Sequence, residues 1–277
     1  VKRQKTDTYK LQRRGGRGIS GMSCREEDVA AEMFVVNSHD YVMFFTNFGK
    51  VYRLKCYEIP EGSRVSKGTN VANLLPIMPD EKVTSMIKVP DFDGEKYLVM
   101  VTKSGVIKRT LLSAYDSARK GGLIAIDLDD GDELAWVSVT DGATELLVAT
   151  KKGMAIRFNE TDVRAVGRTA RGVKAISLRD GDNVVGMSPV SRETMVLTVS
   201  ETGYGRLSEI DDYRLQMRGG KGITNYHVEK YGNVASIKLV SSDEDIILIS
   251  ESGIIIRIKA DTIRVCSRPS KGVRVMK

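Results

Sequence analysis

Arginine and lysine recur beside glycine in six short segments of this 277-residue chain. Arginine presents a planar fork of N–H donors that fits phosphate oxygens, and adjacent glycines let backbone N–H groups approach the same phosphate. The richest segment, 12–18, reads QRRGGRG and holds three arginines. A tight turn would also explain its glycines, and we expect both roles to hold, since the turn would present the arginines. The predicted chemistry of these segments is phosphate binding.

The basic charge of the chain is concentrated in these segments. The whole sequence has a formal net charge of +7, with 43 Lys and Arg against 36 Asp and Glu. The windows 10–18, 61–68, 116–122, 164–174, 214–221 and 264–277 carry +4, +1, +1, +4, +3 and +5, which leaves −11 for the remainder. Loops that merely collect solvated charge would hold both signs, yet these hold only two acidic residues, Glu61 and Asp116. A polyanion such as nucleic acid is therefore the predicted partner.

Each of the other five segments also pairs basic side chains with a glycine. The candidate phosphate ligands in them are Arg64, Lys67, Arg119, Lys120, Arg168, Arg171, Lys174, Arg218, Lys221, Arg268, Lys271 and Arg274. The segments 61–68 and 116–122 are only weakly basic, so a polyanion would contact them lightly or leave the protein there. No zinc-finger spacing or recognition-helix pattern is present, which favours contacts to the phosphate backbone over the reading of base edges.

A repeat of about fifty residues positions these segments. Their last glycines, from Gly18 to Gly272, are 50, 54, 50, 50 and 50 residues apart. A second repeated element has an apolar run, a Thr or Ser, two variable residues, a glycine and another run, as in LVMVTKSGVIKRT around Gly105. β-Branched runs on both sides of a polar turn that closes on glycine are typical of a β-hairpin. With the short strand after each basic segment, each repeat predicts about four strands and no long helix.

Four strands per unit and about six units predict an all-β fold, a six-bladed propeller-like disc of four-stranded antiparallel blades. We expect a single domain over residues 1–277, with repeats at about 1–49, 50–105, 106–153, 154–203, 204–253 and 254–277. The last repeat would close with the N-terminal strand, because Arg3 precedes Gly18 by fifteen residues, as Arg53 precedes Gly68. Equivalent loops lie at equivalent radii in such a ring, so the basic segments would form a belt. An open disc is the alternative.

Nothing in the sequence predicts catalysis, a metal site or a bound cofactor. There is no GxxxxGK[ST] phosphate loop, and the two histidines, His39 and His227, lie in no motif with a nucleophile. The aspartates of 127–132 indicate a solvated Asp-Gly turn rather than a cation site. The three cysteines match neither a CxxC pattern nor a disulfide framework. No apolar run could cross a membrane, and a start at Val1 without a signal peptide predicts a piece of a longer protein.

The heptapeptide QRRGGRG resembles the signature box of the bacterial DNA gyrase A subunit, part of a type IIA topoisomerase, in its C-terminal DNA-wrapping domain. The segment MRGGKG, which ends at Gly222, is similar to the family's repeated loops. The resemblance covers the whole chain. It implies a β-pinwheel, in which hairpins are exchanged between neighbouring blades, with DNA wrapped in positive writhe around the basic perimeter. The signature box carried over by position, and assigned to DNA binding, is Gln12, Arg13, Arg14, Gly15, Gly16, Arg17 and Gly18.

The resemblance also implies partners and a place in a larger enzyme. Double-stranded DNA is the implied ligand, and the wrapped segment is presented for strand passage in ATP-dependent negative supercoiling. The implied protein partners are the gyrase B subunit, with the rest of the gyrase A subunit, two of each, in the bacterial cytoplasm at the nucleoid. ATP and Mg²⁺ serve the whole enzyme. No cofactor and no catalytic residue is expected in this domain, and the isolated domain is expected to be monomeric.

Two alternatives stay open. The corresponding C-terminal domain of topoisomerase IV is related, although its first box is usually degraded and the box here is intact. A protein-interaction propeller of another family would use the basic loops to contact an acidic partner, but WD and kelch patterns are absent and the heptapeptide would be unexplained. The chain departs from the family pattern at Gly203-Tyr204-Gly205-Arg206, where the arginine of the hairpin is off register.

Overall fold

The computed structural model describes residues 1–5, 19–20, 33–63, 65–117, 119, 121–191, 193–250 and 254–276, and the regular secondary structure in this part of the chain is mostly β-strand. The strands are β1 (Ile19–Ser20), β2 (Tyr41–Thr46), β3 (Lys50–Lys55), β4 (Val83–Val89), β5 (Tyr97–Thr102), β6 (Val106–Leu111), β7 (Leu123–Ile124), β8 (Leu134–Thr140), β9 (Glu145–Thr150), β10 (Met154–Asn159), β11 (Val173–Lys174), β12 (Val184–Val190), β13 (Met195–Ser200), β14 (Tyr204–Glu209), β15 (Ile223–Thr224), β16 (Val234–Val240), β17 (Asp245–Ile249), β18 (Ile254–Lys259) and β19 (Val273–Arg274).

In the described part of the chain, helical structure is confined to single turns. Short 3₁₀ turns follow the second strand of each hairpin, at Cys56–Glu58, Leu112–Tyr115, Glu160–Asp162, Ile210–Asp212 and Ala260–Thr262, and another lies at Val71–Asn73. Among the described residues one α-helix is present, α1 (Val228–Tyr231), and it is one turn long. The prediction that the repeats contain no long helix is confirmed for this part of the chain.

The strands form five antiparallel sheets in the described part of the chain, each centred on one hairpin. Four sheets have four strands, in the orders β4-β2-β3-β7, β8-β5-β6-β11, β12-β9-β10-β15 and β16-β13-β14-β19, and the fifth has three, β17-β18-β1. The edge strands β4, β8, β12 and β16 contact one another from sheet to sheet, so we call this the inner edge. The all-β, propeller-like prediction is confirmed.

The strand at the opposite, outer edge of each sheet comes from the following repeat. Strand β7 follows the hairpin β5–β6 in sequence, yet it pairs with β3 of the preceding hairpin. The register is the same in all five sheets, as Leu123 pairs with Val51 and Ile223 pairs with Ala155. In every sheet the residue that directly follows the last glycine of a basic segment pairs with the residue two positions after a hairpin glycine. The exchange between neighbouring blades that the resemblance implied is therefore present.

The two ends of the chain take part in the same exchange. Strand β1, from the N-terminal repeat, pairs with β18 of the last hairpin. Val1 exchanges two backbone hydrogen bonds with Thr69, of 2.7 and 2.8 Å, and Arg3 pairs with Glu61 as Arg157 pairs with Leu215. Arg3 thus takes the place in its repeat that Arg157 takes in a described hairpin.

Successive sheets pack face to face, which explains why the central strands are apolar on both sides. Five of the six residues of β2 are buried. Met43 and Phe45 pack in one cluster with Leu98 and Met100 of the next sheet. A continuous apolar run rather than strict alternation is typical of a strand covered on both faces. Burial of each such side chain contributes about 1.5–3 kcal/mol.

The hairpin glycine both turns the chain and admits the exchanged segment. Gly153 has φ +80°, and its N–H closes the turn on the Thr150 carbonyl at 3.0 Å. Its own carbonyl accepts hydrogen bonds from Asn225 and Tyr226 of the exchanged segment, at 2.7 and 3.1 Å. A Cβ at Gly153 would lie 2.2 Å from the Tyr226 carbonyl oxygen. Only glycine therefore lets the two backbones approach this closely.

Gly153→Ala is expected to destabilise the protein more than Gly94→Ala. Gly94 has nearly the same φ, +79°, but nothing lies within 4 Å of the position that its Cβ would take. Both substitutions carry the left-handed backbone penalty of about 1–2 kcal/mol. Only the first adds overpacking, which costs about 1–3 kcal/mol more. Urea unfolding of both variants measures the difference, and equal losses would show that the exchanged segment can move aside freely.

Candidate nucleic-acid interface

The predicted phosphate ligands of the described part lie on the exchanged segments, at or beside the outer edges of the sheets. Six are exposed: Lys67, Arg119, Arg171, Lys174, Lys221 and Arg274. Four are half-buried: Arg168, Arg218, Arg268 and Lys271. The signature box (Gln12, Arg13, Arg14, Gly15, Gly16, Arg17 and Gly18), together with Arg64 and Lys120, lies outside the described residues. Sequence positions about fifty residues apart are thus brought to one repeated structural position.

The half-buried arginines tie each basic segment to the preceding one. Arg218 donates from Nη1 to the Lys174 carbonyl at 3.0 Å and from Nε to the Asp162 carbonyl at 2.9 Å. Arg268 and Arg168 repeat the first of these contacts in the neighbouring sheets. Because a guanidinium has five N–H donors, each arginine holds two segments together and keeps donors for a phosphate. The sequence predicted only the second role. The sequence signal that could have predicted the first role is their fixed position, four residues before the last glycine of each segment.

Several of the exposed cations have no carboxylate partner among the described residues. No ion pair with a described carboxylate forms at Lys67, Arg119, Lys174, Lys221 or Arg274, whereas twelve such pairs form elsewhere in the described part. Their charge is therefore available to an external anion.

One sector of the outer edge differs in its charge. Arg171 forms two ion pairs, from Nε to Asp127 at 3.1 Å and from Nη1 to Asp129 at 2.9 Å. Its pKa is raised by the hydrogen bond to Asp127 and by the charge of Asp129. In the same sector Arg53 pairs with Asp116 at 2.7 Å. The segment 116–122, weakly basic by sequence, therefore lies among cations that are already paired.

A tyrosine and two cations form a cluster at the outer edge of the fourth sheet. The Lys271 Nζ lies 3.9 Å from the centre of the Tyr204 ring, and the Arg274 Cζ lies 4.7 Å from it. Arg274 also donates to the Tyr204 hydroxyl at 3.3 Å, and this hydrogen bond lowers the pKa of the phenol. The hydroxyl proton is thus left to donate to a phosphate beside two cations. The sequence marked Tyr204 only as part of an irregular hairpin.

The arginines four residues after the hairpin glycine have a different environment. Arg157 pairs with Glu145 of the neighbouring strand at 2.6 Å. Arg109 approaches Glu160, which is fully buried, at 3.7 Å, and Arg257 pairs with a carboxylate of its partner strand. These arginines stabilise the repeat and do not add to the outer-edge charge.

Two other kinds of site are absent from the same part of the chain. No group of three or more His, Cys, Asp or Glu side chains that could hold a metal ion occurs among the described residues. Within them, too, no helix is long and apolar enough to cross a membrane.

The sequence matches the family described as "DNA gyrase C-terminal domain, beta-propeller" in six consecutive segments, 1–37, 40–90, 96–141, 144–191, 194–241 and 244–277. The chain belongs to this family. The six matched segments confirm the predicted number of repeats of this gyrase C-terminal domain, including the first, most of which lies outside the described residues.

Curated relatives of this gyrase C-terminal domain are longer proteins. The DNA gyrase A subunit of Clostridium acetobutylicum is 51% identical over 174 residues, which is 63% of this chain and 21% of that protein. The DNA gyrase A subunit of Halalkalibacterium halodurans is 52% identical over 174 residues, again 63% and 21%. The chain therefore spans about a fifth of the length of these relatives.

Solved structures resemble this gyrase C-terminal domain over most of its length. A structure of the DNA gyrase A C-terminal domain matches with a TM-score of 0.89 and 30% identity, covering 99% of this chain and 91% of that one. The C-terminal domain of DNA topoisomerase IV matches with a TM-score of 0.75 and 28% identity, covering 87% and 76%.

Proposed function

We propose that this chain binds double-stranded DNA without reading its sequence and wraps it with positive writhe around the outer edge. The observation that carries the proposal is the repeated set of outer-edge cations that form no ion pair with a described carboxylate, notably Lys174, Lys221 and Arg274. A curved row of fixed positive charge suits DNA that bends around it and is held through its phosphates. The signature box, 12–18, lies outside the described residues and has the densest run of arginines in the sequence, three in seven positions.

The arginine ties between segments support bending as well as binding. Bending 20–30 bp by 40–90° costs on the order of 1–6 kcal/mol, which several contacts must offset together. Arg218 and Arg268 hold consecutive segments to one another through the backbone carbonyls of Lys174 and Thr224. The spacing of the phosphate contacts is therefore set before DNA arrives, so little ordering entropy opposes the wrap.

In the whole enzyme, the wrapped DNA would be presented for strand passage. We propose that the chain acts on the bacterial nucleoid together with gyrase B, whose ATP hydrolysis drives negative supercoiling, and with the rest of a gyrase A subunit. The catalytic tyrosine, the ATPase and the Mg²⁺ they need belong to other parts of that complex. This chain contributes DNA binding and no catalytic group of its own.

A topoisomerase IV role is the second candidate. The similarity to the topoisomerase IV domain supports it, as do the two weakly basic segments, 61–68 and 116–122. In that case the domain would hold DNA without wrapping it fully.

A linking-number experiment separates the two functions. The purified domain is incubated with nicked plasmid, the nick is ligated, the protein is removed and the topoisomers are resolved. A dose-dependent positive shift is the expected result. Tight, salt-sensitive binding without a shift would favour the topoisomerase IV role. Absence of DNA binding would contradict both.

The double variant Asp127→Asn, Asp129→Asn is expected to bind DNA about three- to tenfold more tightly than the wild type. In the wild type a phosphate must displace two carboxylates from Arg171, and exposed ion pairs of this kind are worth about 0.2–1 kcal/mol each. Freeing Arg171 adds one phosphate contact, so the slope of log affinity against log salt concentration should become steeper by about 0.9. Fluorescence anisotropy at several salt concentrations measures both quantities.

Two controls separate this local effect from the change in net charge. Asp91→Asn with Asp93→Asn removes the same charge from an exposed loop after the inner-edge strand β4 and should leave the salt slope unchanged. Adding Arg171→Ala to the first double variant should cancel its gain. A gain that survives Arg171→Ala would mean that Arg171 is not the residue released.

A further inference from the structure

Two cations lie fully buried beneath the basic segments, at equivalent positions in two sheets. Lys108 of β6 and Arg206 of β14 each occupy the third position after a hairpin glycine, and both have 0% exposure. A buried cation is costly unless it is hydrogen-bonded and paired with an anion. The sequence marked Arg206 as an off-register arginine and did not single out Lys108.

Both cations bridge two consecutive basic segments through backbone carbonyls. The Lys108 Nζ donates to the Ala125 carbonyl at 2.6 Å and to the Arg168 carbonyl. Arg206 donates from Nε to the Ser270 carbonyl at 3.0 Å and from Nη2 to the Asn225 carbonyl. Ala125 and Asn225 each lie three residues after the last glycine of one segment, and Arg168 and Ser270 lie inside the next segment. Each cation thus contacts the backbone of the surface proposed to hold DNA.

The same position is filled differently in the third and fifth sheets. Ile156 occupies it in β10 and Ile256 in β18, and both are buried. The fold therefore accepts an aliphatic side chain here without an ion or a polar partner. A lysine or arginine at this position is a departure that folding alone does not require.

Neither cation has an ion pair with a described carboxylate, and hydrogen bonds to carbonyls leave the full positive charge in place. We propose that Lys108 and Arg206 are positioning residues that lock consecutive DNA-contact segments together and whose buried charge has the DNA backbone as its counter-ion. This inference rests on the proposed DNA binding and adds two residues to it that are not on the surface.

The titration of Lys108 offers a way to test the proposal. Burial lowers the pKa of Lys108 to about 8, with a further lowering by Arg168 and an opposing effect of Asp127. Among the described residues Tyr115 also faces it: the Tyr115 hydroxyl donates to the same Ala125 carbonyl at 3.0 Å, and burial raises the pKa of Tyr115 to about 12. A phosphate bound nearby would favour protonated Lys108. DNA binding should therefore weaken as the pH rises above about 8 and the free protein loses this proton.

The variant to compare is Lys108→Ile, since Ile156 and Ile256 show that isoleucine fits this position. At about pH 7 the wild type should bind DNA roughly four- to thirtyfold more tightly, as expected for one charge acting through roughly 8–10 Å at an effective dielectric of about 20–40. By about pH 9.5 this advantage should be largely lost, while Lys108→Arg should keep it at both pH values because arginine stays charged. Lys88→Ile removes an equal charge from an exposed site on β4 and should change affinity less than about twofold at either pH.

Thermal unfolding checks that Lys108 titrates in the folded chain. The folded protein loses the Lys108 proton near pH 8, and the unfolded chain retains it up to about pH 10.5. Wild-type stability should therefore rise between these values relative to Lys108→Ile, because the unfolded state binds more protons there. A wild-type advantage in DNA affinity that is constant with pH, or absent at about pH 7, would overturn the proposal. Loss of DNA binding by the wild type itself would instead contradict the proposed function.

Discussion

Replacing Arg13, Arg14 and Arg17 with alanine is expected to abolish the positive linking-number shift while lowering DNA affinity only about tenfold. The remaining segments still supply phosphate contacts, and single exposed charge contacts are worth about 0.2–1 kcal/mol each. Wrapping depends more steeply on the box, because the cost of bending must be offset along the whole DNA path. Removing three closely spaced arginines leaves a gap in the phosphate contacts along that path. Ligation of nicked plasmid with each protein measures the shift, and anisotropy with a short duplex measures the affinity.

A charge-matched variant provides the control for the signature-box experiment. Lys82, Lys88 and Lys238 are exposed and lie on or next to the inner-edge strands β4 and β16. Their replacement by alanine removes three charges away from the outer edge and should leave the linking-number shift in place. Equal losses of wrapping and of affinity in the box variant would contradict the division of labour proposed here.

The affinity for duplex DNA is expected to fall by about a thousandfold between roughly 50 and 200 mM salt. This estimate assumes at least six phosphate contacts, each of which contributes about −0.9 to the slope of log affinity against log salt. Six candidate ligands without a described carboxylate partner would supply them: Lys67, Arg119, Lys174, Lys221, Lys271 and Arg274. Titrations at four or more salt concentrations give the slope directly.

Duplexes of unrelated sequence and equal length serve as the comparison for the salt experiment. Phosphate contacts carry no base information, so their affinities should agree within a few-fold at each salt concentration. A slope shallower than about −2 would mean that the outer-edge cations do not act together on one DNA molecule. A strong sequence preference would point to base contacts, which nothing on the described outer edge predicts.

Much of the fold was predictable because each repeat is determined by residues that lie close together in the sequence. Apolar runs around a turn that closes on glycine determine each hairpin, and these signals recur from Gly49 to Gly253. The position of Arg3 followed from its distance to Gly18 alone, and the pairing of Arg3 with Glu61 confirms it. The exchange of outer strands between sheets was implied only by the family resemblance. A two-residue strand such as β7 has no local signal that says which hairpin it will join.

The candidate interface was predictable in position but not in chemical detail. The sequence predicted that basic segments at a fixed spacing would lie at one repeated place, and the described segments do. It could not distinguish Lys221, which is exposed, from Arg218, which binds carbonyls of the neighbouring repeat. Nor could it pair Arg171 with Asp127, since the two lie 44 positions apart and meet only through the exchange.

The sequence by itself determined the all-β class, the number of repeats and the place of the positive charge, because hairpin signals, glycine spacing and charge all depend on residues close together in the chain. Tertiary structure alone decided which cations face solvent, which hold neighbouring segments together and which lie buried beneath them. Lys108 and Ile156 occupy the same position in their repeats, yet one is a buried cation held by carbonyls of its own repeat and of the next one. Such contacts depend on where distant parts of the chain meet, and packing decides that.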